Sequence, residues 1–312
     1  MTAASYRICA VIVTYEPDLP LFADVIAAIS GQVQEVIIVD NGSAACCRAA
    51  LGEIVRVSAH RHLLLHEDNQ GIAAGQNRGI TLSRAWGCTH TLLLDQDSIP
   101  AADMVRQLLM VESGLLARGI KVGAVGATAV DRRTSTRAGF VRKRGMLIHR
   151  CTPPPREEHI ETDFLISSGT LIRTAVFKDT GLLNDGYFID HVDTEWCFRA
   201  THKGYRLFGS KKALLSHCLG ETVIKIWFAR WREVPQHNPL RNYYTFRNTI
   251  RMIYHTPMSA SWRLAHCYRL AMFFTFCLIA GKPRLLRLKM MLLGLAHGVK
   301  GVQGIFTPDR RT

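Results

Sequence analysis

The chain has 312 residues, 48% hydrophobic and 21% charged, and this composition excludes a collagenous chain and a wholly disordered one. Its length allows one large α/β domain with a helical appendage, or two medium domains. Lysine and arginine number 39 against 25 aspartates and glutamates, so the formal net charge is +14. This balance indicates an anionic partner, namely nucleic acid, a membrane surface or a phosphorylated substrate.

Short apolar runs alternate with helical patterns over the first 130 residues. The continuous β-branched runs at Ile8–Thr14 and 36–39 predict buried parallel strands. A weaker strand is predicted at either 55–57 or 62–66. Further strands are predicted at 89–94 and 122–127, and helices at 19–30, 44–52, from the glycine-punctuated turn 69–79 to 86, and at 101–118.

This alternation predicts a doubly wound parallel sheet with right-handed crossovers. In such sheets ligands bind at the carboxyl ends of the strands, so the polar residues that end each strand are expected to share one cleft. These residues are Thr14, Tyr15, Asp40, Asn41, Asp95 and Asp97.

The middle of the chain is less regular. Residues 132–155 are basic and rich in proline, which predicts a loop. A strand is expected at 164–172, a short helix from 175, and another helix from Asp193 to about residue 204.

The excess of cations lies in the last third of the chain. We predict two basic amphipathic helices, at 262–279 and 285–306, that lie on a membrane surface. The uninterrupted apolar run 270–281 is too short to span a bilayer. The alternative is that these helices simply cover the main domain. The predicted division is a catalytic domain at 1–220, with halves at about 1–130 and 131–220, and a helical region at 221–312.

The cysteines and the N-terminus indicate a reducing compartment. Nine cysteines, an odd number, show no CxxC spacing, which favours free thiols in a cytosolic protein. The N-terminal residues lack a basic segment followed by a long apolar run, so no signal peptide is expected.

Asp95 and Asp97 form a D-x-D pair directly after a predicted buried strand. Hard divalent cations prefer carboxylate oxygens, and a diphosphate could supply the remaining ligands. Such an ion would neutralise the charge of a leaving nucleoside diphosphate. The alternative is a turn or a helix cap.

Asp40 to Ser43 (DNGS) follow the second predicted strand and predict either an Asx turn or one wall of a nucleotide pocket. The Asp40 carboxylate could accept the imide N–H of a uracil or thymine. Gly71, Gly75 and Gly79 would allow close backbone approach. The spacing is neither GxGxxG nor a Walker loop, which disfavours NAD binding and ATP hydrolysis.

Three acidic residues, Asp190, Asp193 and Glu195, lie beside Trp196 where a loop becomes a helix. A carboxylate here could act as general base on a hydroxyl nucleophile, and the indole could stack on a sugar ring. The alternative is acidic capping of that helix.

The segments VIVTYEP, VDNGS, NQGIAAGQNRG, LLLDQDS, SSGTLI and FIDHVDTEWCFR, taken in this order and spacing, resemble the inverting family-2 glycosyltransferases of the GT-A fold. The resemblance covers about residues 6–250 and is nearest to the bacterial rhamnosyltransferase branch, which builds O-antigen, lipopolysaccharide and related surface polysaccharides. It implies a GT-A fold, a mixed sheet of Rossmann type, followed by the basic helical segment.

The resemblance implies roles for single residues. Asp193 occupies the position of the catalytic base, with Glu195 as the competing assignment, because Val192-Asp193 replaces the usual Glu-Asp doublet. Asp97 and His217 are implied as ligands of Mg²⁺ or Mn²⁺. Nucleotide-sugar contacts are implied for Thr14, Tyr15, Asp40, Asn41, Asn77, Asp95, Gln96 and Arg247, and acceptor contacts for Gly169, Asp190 and Trp196.

The implied activity is transfer of L-rhamnose from dTDP-β-L-rhamnose to a hydroxyl of a lipid-linked saccharide. The implied location is the inner face of the bacterial plasma membrane, and an oligomer is compatible with the sequence. One alternative is a transferase of the same fold that uses a UDP-sugar, carrying galactofuranose, glucose or N-acetylhexosamine. A remote alternative is a nucleic-acid-binding protein, which the absence of a binding module disfavours.

Overall fold

The structure is a computed structural model that describes residues 6–145, 147–217, 222–228, 230–236 and 238–307. The helices are α1 (Leu19–Ser30), α2 (Ala45–Arg56), α3 (Ile72–Ala85), α4 (Met104–Ala117), α5 (Val176–Thr180), α6 (Val192–His202), α7 (Pro239–His255), α8 (Ala260–Ala280) and α9 (Arg284–Lys300). The strands are β1 (Ile8–Thr14), β2 (Glu35–Asp40), β3 (Arg61–Leu65), β4 (His90–Asp95), β5 (Ile99–Pro100), β6 (Val122–Asp131), β7 (Phe140–Arg144), β8 (Leu147–Cys151), β9 (His159–Thr162), β10 (Thr170–Arg173), β11 (Arg206–His217), β12 (Thr222–Phe228) and β13 (Arg230–Gln236).

The main sheet is mixed, and its strands run in the order β3-β2-β1-β4-β10-β6-β11-β5, with β9 paired to β11. Strands β1 to β4 are mutually parallel, and β6 is parallel to β11. Strand β10 lies between β4 and β6 and is antiparallel to both. The carboxyl ends of β1, β2, β4, β6 and β11 therefore meet at one edge of the sheet. The predicted doubly wound α/β fold is confirmed.

The sheet is buried on both faces, which explains why its central strands are continuous apolar runs rather than alternating ones. Cys9, Val11 and Val13 of β1 belong to one core cluster. Ile8 and the other even-numbered apolar residues of the strand belong to a second cluster with residues of α1 and α4. Period-2 geometry thus divides one strand between two cores.

Helix α3 approaches β1 closely because it carries glycine where it touches the strand. A Cβ on Gly79 would lie 2.3 Å from Cγ1 of Val11, and one on Gly75 would lie 2.7 Å from Cγ1 of Val13. The expectation that these glycines admit a ligand is corrected here, because helix–sheet packing already occupies the space beside them.

The segment predicted as a loop at 132–155 contains a hairpin instead. Strands β7 and β8 pair antiparallel, with Phe140 opposite Cys151. Neither FVRKR nor LIHRC alternates apolar and polar residues, so no period-2 pattern indicated these strands.

Two further predictions differ from the structure. The strand expected at 164–172 begins only at Thr170, because residues before it form a turn that ends at Gly169. The region 221–312, expected to be helical, begins with the hairpin β12–β13 in its described part.

Of the two positions predicted for the weak strand, the structure has the second, with the strand at Arg61–Leu65. Residues 55–57 lie at the end of α2.

Helices α8 and α9 confirm the two helices predicted near the C-terminus, and α7 precedes them. Helix α7 buries Tyr243, Tyr244, Phe246 and Arg247, and its Phe246 forms a small core cluster with residues of α8 and α9. No helix in the described part of the chain combines the length and the apolar character that crossing a bilayer requires.

The contact between α3 and β1 generates a stability prediction. Gly79→Ala should lower the free energy of unfolding by about 1–3 kcal/mol, because the stiff Val11 side chain cannot move away without disturbing a central strand. The matched control is Gly114→Ala on α4, where a new Cβ meets no heavy atom within 4 Å. That change should raise stability by about 0.5–1 kcal/mol. Chemical unfolding curves of both variants measure the difference, and equal effects would contradict the packing argument.

Candidate active site

The site is built where β4 and β11 end at the common edge of the sheet. Asp95 is the last residue of β4, Asp97 follows in the next turn, and His217 is the last residue of β11. Their ligand atoms all lie within 4.8 Å of one another. Nδ1 of His217 is 3.4 Å from Oδ1 of Asp97 and 2.8 Å from Oγ of Ser98. Residues 120 positions apart in sequence therefore form one cluster.

The charged groups of this cluster shift one another's pKa values. Burial and the negative charges of Asp97 and Asp193 raise the pKa of Asp95 to about 6, against the positive charges of His217 and Arg241. The hydrogen bond with Asp97 raises the pKa of His217. Although burial opposes it, the same bond holds the pKa of Asp97 below its usual range. The acidic groups thus share one electrostatic environment.

These residues fit a hard divalent cation. Two carboxylates and one imidazole offer oxygen and nitrogen ligands, a set that suits Mg²⁺ or Mn²⁺ and leaves positions for ligands from a substrate. The raised pKa of Asp95 shows that its negative charge is disfavoured here, and a bound cation would offset this.

Asp193 lies in the first turn of α6, beside this cluster. Its Oδ1 accepts a hydrogen bond of 2.7 Å from the N–H of Thr194, and the N–H of Ser167 also donates to its carboxylate. Burial raises the pKa of Asp193, and the nearby charge of Asp190 adds to this. A carboxylate with a raised pKa is a stronger base, as proton abstraction from a hydroxyl requires.

The side chains of Glu195 and Trp196 contact other protein groups rather than the acidic cluster. The Glu195 carboxylate is buried and accepts two hydrogen bonds, of 2.8 and 2.9 Å, from Arg199 of the next helical turn. The Trp196 ring is 2% exposed and packs on Phe177, and its Nε1 donates to the carbonyl of Gly181. The predicted stacking of Trp196 on a sugar is corrected, because the ring presents no free face.

Asp190 binds protein groups rather than facing an open subsite. Its carboxylate accepts hydrogen bonds from Arg241, at 3.0 and 3.1 Å, and from the Thr245 hydroxyl at 3.0 Å. It therefore ties the loop before α6 to α7.

The carboxylate of Asp40, which was expected to contact a nucleotide base, is enclosed by protein groups. Its carboxylate accepts from the Ser43 hydroxyl at 2.5 Å, the Ser43 N–H at 3.0 Å and the Thr14 hydroxyl at 3.3 Å, and it lies 3.4 Å from Arg48. Asp40 and Thr14 are both 0% exposed. Asp40 thus shapes the loop that follows β2, and the direct contact with a base has no open surface in this structure.

Asn41 and Asn77 also hold neighbouring loops. Oδ1 of Asn41 accepts from the N–H of Gln70 at 3.0 Å and lies 3.1 Å from Nδ1 of His66. The amide of Asn77 bonds both the N–H and the carbonyl of Leu183. The side-chain groups that were expected to bind nucleotide are used within the protein.

Gln96 and Tyr15 join the ends of β4 and β1. Oε1 of Gln96 accepts from the N–H of Tyr15 at 2.8 Å, and its Nε2 donates to the Tyr15 carbonyl at 3.2 Å. The Tyr15 ring is 49% exposed and available for a ligand. Gln96 positions this residue.

Gly169 and Arg247 are both buried. Gly169 has φ +75°, and a Cβ there would lie 3.0 Å from Ala127 and Leu215, so it permits the tight turn before β10. Arg247 is 0% exposed and bonds backbone carbonyls. Its predicted contact with a diphosphate is corrected, because no surface of the residue is accessible.

The sequence interpretation missed Ser98, Ser167 and Thr245 as parts of the site. Ser98 follows the D-x-D pair directly, and Ser167 belongs to the SSGTLI segment, so both stood beside a recognised motif. Their roles depend on contacts between distant strands and helices, which the sequence pattern does not encode.

Comparison with known proteins gives consistent results. Residues 9–181 match the family model described as Glycosyl transferase family 2. The chain is 29% identical over 307 residues to the "dTDP-rhamnosyl transferase RfbF" of Shigella flexneri, an alignment that covers 96% of this chain and 97% of that protein.

Solved structures share the fold at low sequence identity. The structure of GalNAc-T7 with UDP, GalNAc and Mn²⁺ superposes with a TM-score of 0.61 at 13% identity, covering 80% of this chain and 48% of that one. The structure of S. aureus TarS 1–349 with UDP-GlcNAc gives a TM-score of 0.58 at 15% identity, covering 95% and 81% of the two chains. These are GT-A glycosyltransferases, which confirms the predicted fold.

The cluster generates a prediction for metal binding. Asp97→Asn should weaken Mn²⁺ affinity by about a hundredfold or more, because loss of even an indirect partner of a metal costs about 10–100-fold. The control is Asp131→Asn, which alters a carboxylate at the end of the neighbouring β6 that binds the N–H of Arg133 instead. Electron paramagnetic resonance titration of free Mn²⁺ measures both affinities. Undiminished binding by Asp97→Asn would exclude the cluster as the site.

Proposed function

This chain belongs to glycosyl transferase family 2, and within that family we propose that it transfers L-rhamnose from dTDP-β-L-rhamnose to a saccharide hydroxyl, with inversion at the anomeric carbon. That the chain is a glycosyltransferase follows from its family and from its rhamnosyltransferase relative. The proposal adds the donor, the roles of single residues and the class of acceptor.

The mechanism is supported by the grouping of Asp95, Asp97 and His217 at one edge of the sheet, with Asp193 of α6 near them. The first three offer ligand atoms to one cation, and the charge of Asp193 acts directly on Asp95. A cation site near a carboxylate of raised pKa is an arrangement that suits displacement of a nucleoside diphosphate by a hydroxyl.

In the proposed reaction Asp193 accepts the proton of the acceptor hydroxyl while the oxygen attacks the anomeric carbon. The bond from that carbon to the diphosphate breaks, and dTDP leaves with the bonding electrons. A divalent ion bound by Asp97 and His217 would neutralise the charge that develops on the leaving diphosphate. The single displacement inverts the anomeric configuration, and Ser167 and Thr194 keep the Asp193 carboxylate oriented.

The donor is inferred from the Shigella relative, which aligns with nearly the whole chain. The alternative donor class, a UDP-sugar, is decided by direct comparison. We expect dTDP-rhamnose to be consumed fastest in a panel with UDP-galactofuranose, UDP-glucose and UDP-N-acetylglucosamine, when release of nucleotide is measured in the presence of Mn²⁺ and acceptor. Preference for a UDP-sugar would replace the donor and leave the reaction class unchanged.

The assignment of the base is tested by a pair of variants on one helix. Asp193→Asn should lower kcat by about 10²–10⁴-fold, because the general base is removed, while dTDP binding is retained. Glu195→Gln should lower the melting temperature by loosening Arg199, with kcat close to wild type. Nucleotide release and thermal unfolding measure the two effects.

The opposite pattern would move the base to Glu195. Analysis of the product's anomeric configuration by NMR tests the single displacement, and retention of configuration would contradict it.

We further propose that α8 and α9 rest on an anionic membrane surface, where a lipid-linked acceptor would be reached. Exposed apolar side chains lie on both helices: Leu264, Tyr268, Met272, Ile279, Leu285, Leu286, Leu292 and Val299. Exposed cations lie among them: Arg263, Arg269, Lys282, Arg284, Lys289 and Lys300. Residues 238–307 contain no aspartate or glutamate, so this surface complements anionic lipid headgroups in charge as well as in its apolar character.

Vesicle sedimentation tests this surface. Binding to phosphatidylglycerol vesicles should exceed binding to phosphatidylcholine vesicles, and Leu285→Asp should weaken it by about tenfold, since the buried leucine contributes about 1.5–3 kcal/mol. The control is Val57→Asp, which adds the same charge at a residue that is 77% exposed in the nucleotide half. Equal binding by the two variants would exclude α9 as the contact.

A further inference from the structure

Arg247 is a buried cation whose described hydrogen-bond partners are all neutral. Its guanidinium donates to the carbonyls of Tyr187 at 2.9 Å, Gly186 at 3.4 Å and Gly304 at 2.7 Å, and to Oδ1 of Asn248 at 2.9 Å. Burying a charge is costly unless hydrogen bonds compensate it, so these bonds to backbone carbonyls are what stabilises Arg247 in this position.

Asn248, the next residue of α7, binds further carbonyls of the same segment. Its Nδ2 lies 2.9, 2.6 and 3.0 Å from the carbonyls of Tyr187, Ile189 and Asp190, and the residue is 0% exposed. Two adjacent residues of α7 thus bind four of the six carbonyls of the loop 186–191, which leads into α6 and Asp193.

This loop has an unfavourable backbone. Phe188, Asp190 and His191 have φ angles of 64°, 63° and 64°, in the left-handed region that residues other than glycine seldom adopt. Such conformations persist only where the surroundings enforce them. The carbonyl contacts of α7 supply that enforcement, and the Tyr244 ring stacks on Phe188 at a centroid distance of 5.0 Å.

Residues 301–306, which we term the C-terminal strap, contact both the loop 186–191 and α7. The N–H of Gly304 donates to the carbonyl of Gly186 at 2.9 Å, and the N–H of Phe306 donates to the Tyr244 hydroxyl at 2.7 Å. Arg251 binds the carbonyl of Gly301, which attaches the start of the strap to α7.

We propose that Arg247, Asn248 and the C-terminal strap form a clamp that fixes the loop 186–191 and thereby positions Asp193 against the acceptor. The clamp rests on the proposed function, since it acts through the assigned base. Its members are positioning residues: they touch the loop and not the substrate. The last helical region is thus a working part of the active site and not only a cover or a membrane contact.

The test compares two asparagines of α7. Asn248→Ala removes the bonds to the loop, and Asn242→Ala removes an equally buried amide that faces Arg287 and Cys277 instead. Asn248→Ala should lower kcat by about ten- to a hundredfold, because small displacements of reacting groups cost that much, while the donor KM and dTDP affinity stay within about twofold. Asn242→Ala should keep kcat even if its melting temperature falls equally.

Hydrogen exchange gives a readout that does not depend on catalysis. Amides of residues 186–193 should exchange faster in Asn248→Ala and at the wild-type rate in Asn242→Ala. Unchanged exchange and unchanged kcat in Asn248→Ala would overturn the clamp, as would an equal loss of kcat in Asn242→Ala.

A milder variant covers the case in which Asn248→Ala does not fold. Tyr244→Phe removes only the acceptor for the Phe306 N–H, and it should give a smaller loss of kcat with the same unchanged KM. Wild-type kcat and wild-type exchange in Tyr244→Phe would then overturn the role of the strap. If the wild-type protein releases no nucleotide from any donor, the proposed function fails, and the exchange measurement still decides whether the loop is clamped.

Discussion

Three carboxylates gathered at one edge of a sheet are the constraint on which the structure depends. Burial and the negative charges of Asp97 and Asp193 both disfavour the ionised form of Asp95 and raise its pKa to about 6. Such a cluster is stable only if neighbouring groups supply positive charge or hydrogen bonds, or if a cation binds. His217 and Arg241 supply part of that charge, and the ligand atoms of Asp95, Asp97 and His217 lie close enough together for a divalent ion to supply the rest.

The residues of the cluster come from different parts of the fold. The parallel strands β4 and β11 deliver Asp95 and His217 to the same edge, because strand direction fixes where their carboxyl ends lie. Asp193 arrives by another route, through the loop 186–191 and α6. This loop is not part of the sheet. It is held instead by α7, whose Arg247 and Asn248 bind its backbone carbonyls. The metal-ligand cluster and Asp193 therefore depend on two separate structural supports.

The sequence predicted the sheet well, because β1 and β4 are apolar runs whose polar ends follow a fixed geometric rule, and the structure brings the D-x-D pair beside His217. It predicted single roles less well. Asp40, Asn77, Trp196 and Arg247 carry the residue types that ligand binding uses, yet each is bonded inside the protein. Whether a polar side chain faces a ligand or a neighbouring loop depends on contacts between distant segments, and residue type and spacing do not determine these.

The most direct measurement of the central claim is a crystal structure with dTDP and Mn²⁺. We expect one ion at about 2.0–2.3 Å from ligand atoms of Asp97 and His217, in contact with the diphosphate, as oxygen- and nitrogen-ligated divalent ions require. We also expect the Asp193 carboxylate to face the anomeric carbon of a bound donor, on the side from which an acceptor hydroxyl attacks. An ion bound elsewhere, or dTDP in a pocket that Asp193 does not border, would contradict it.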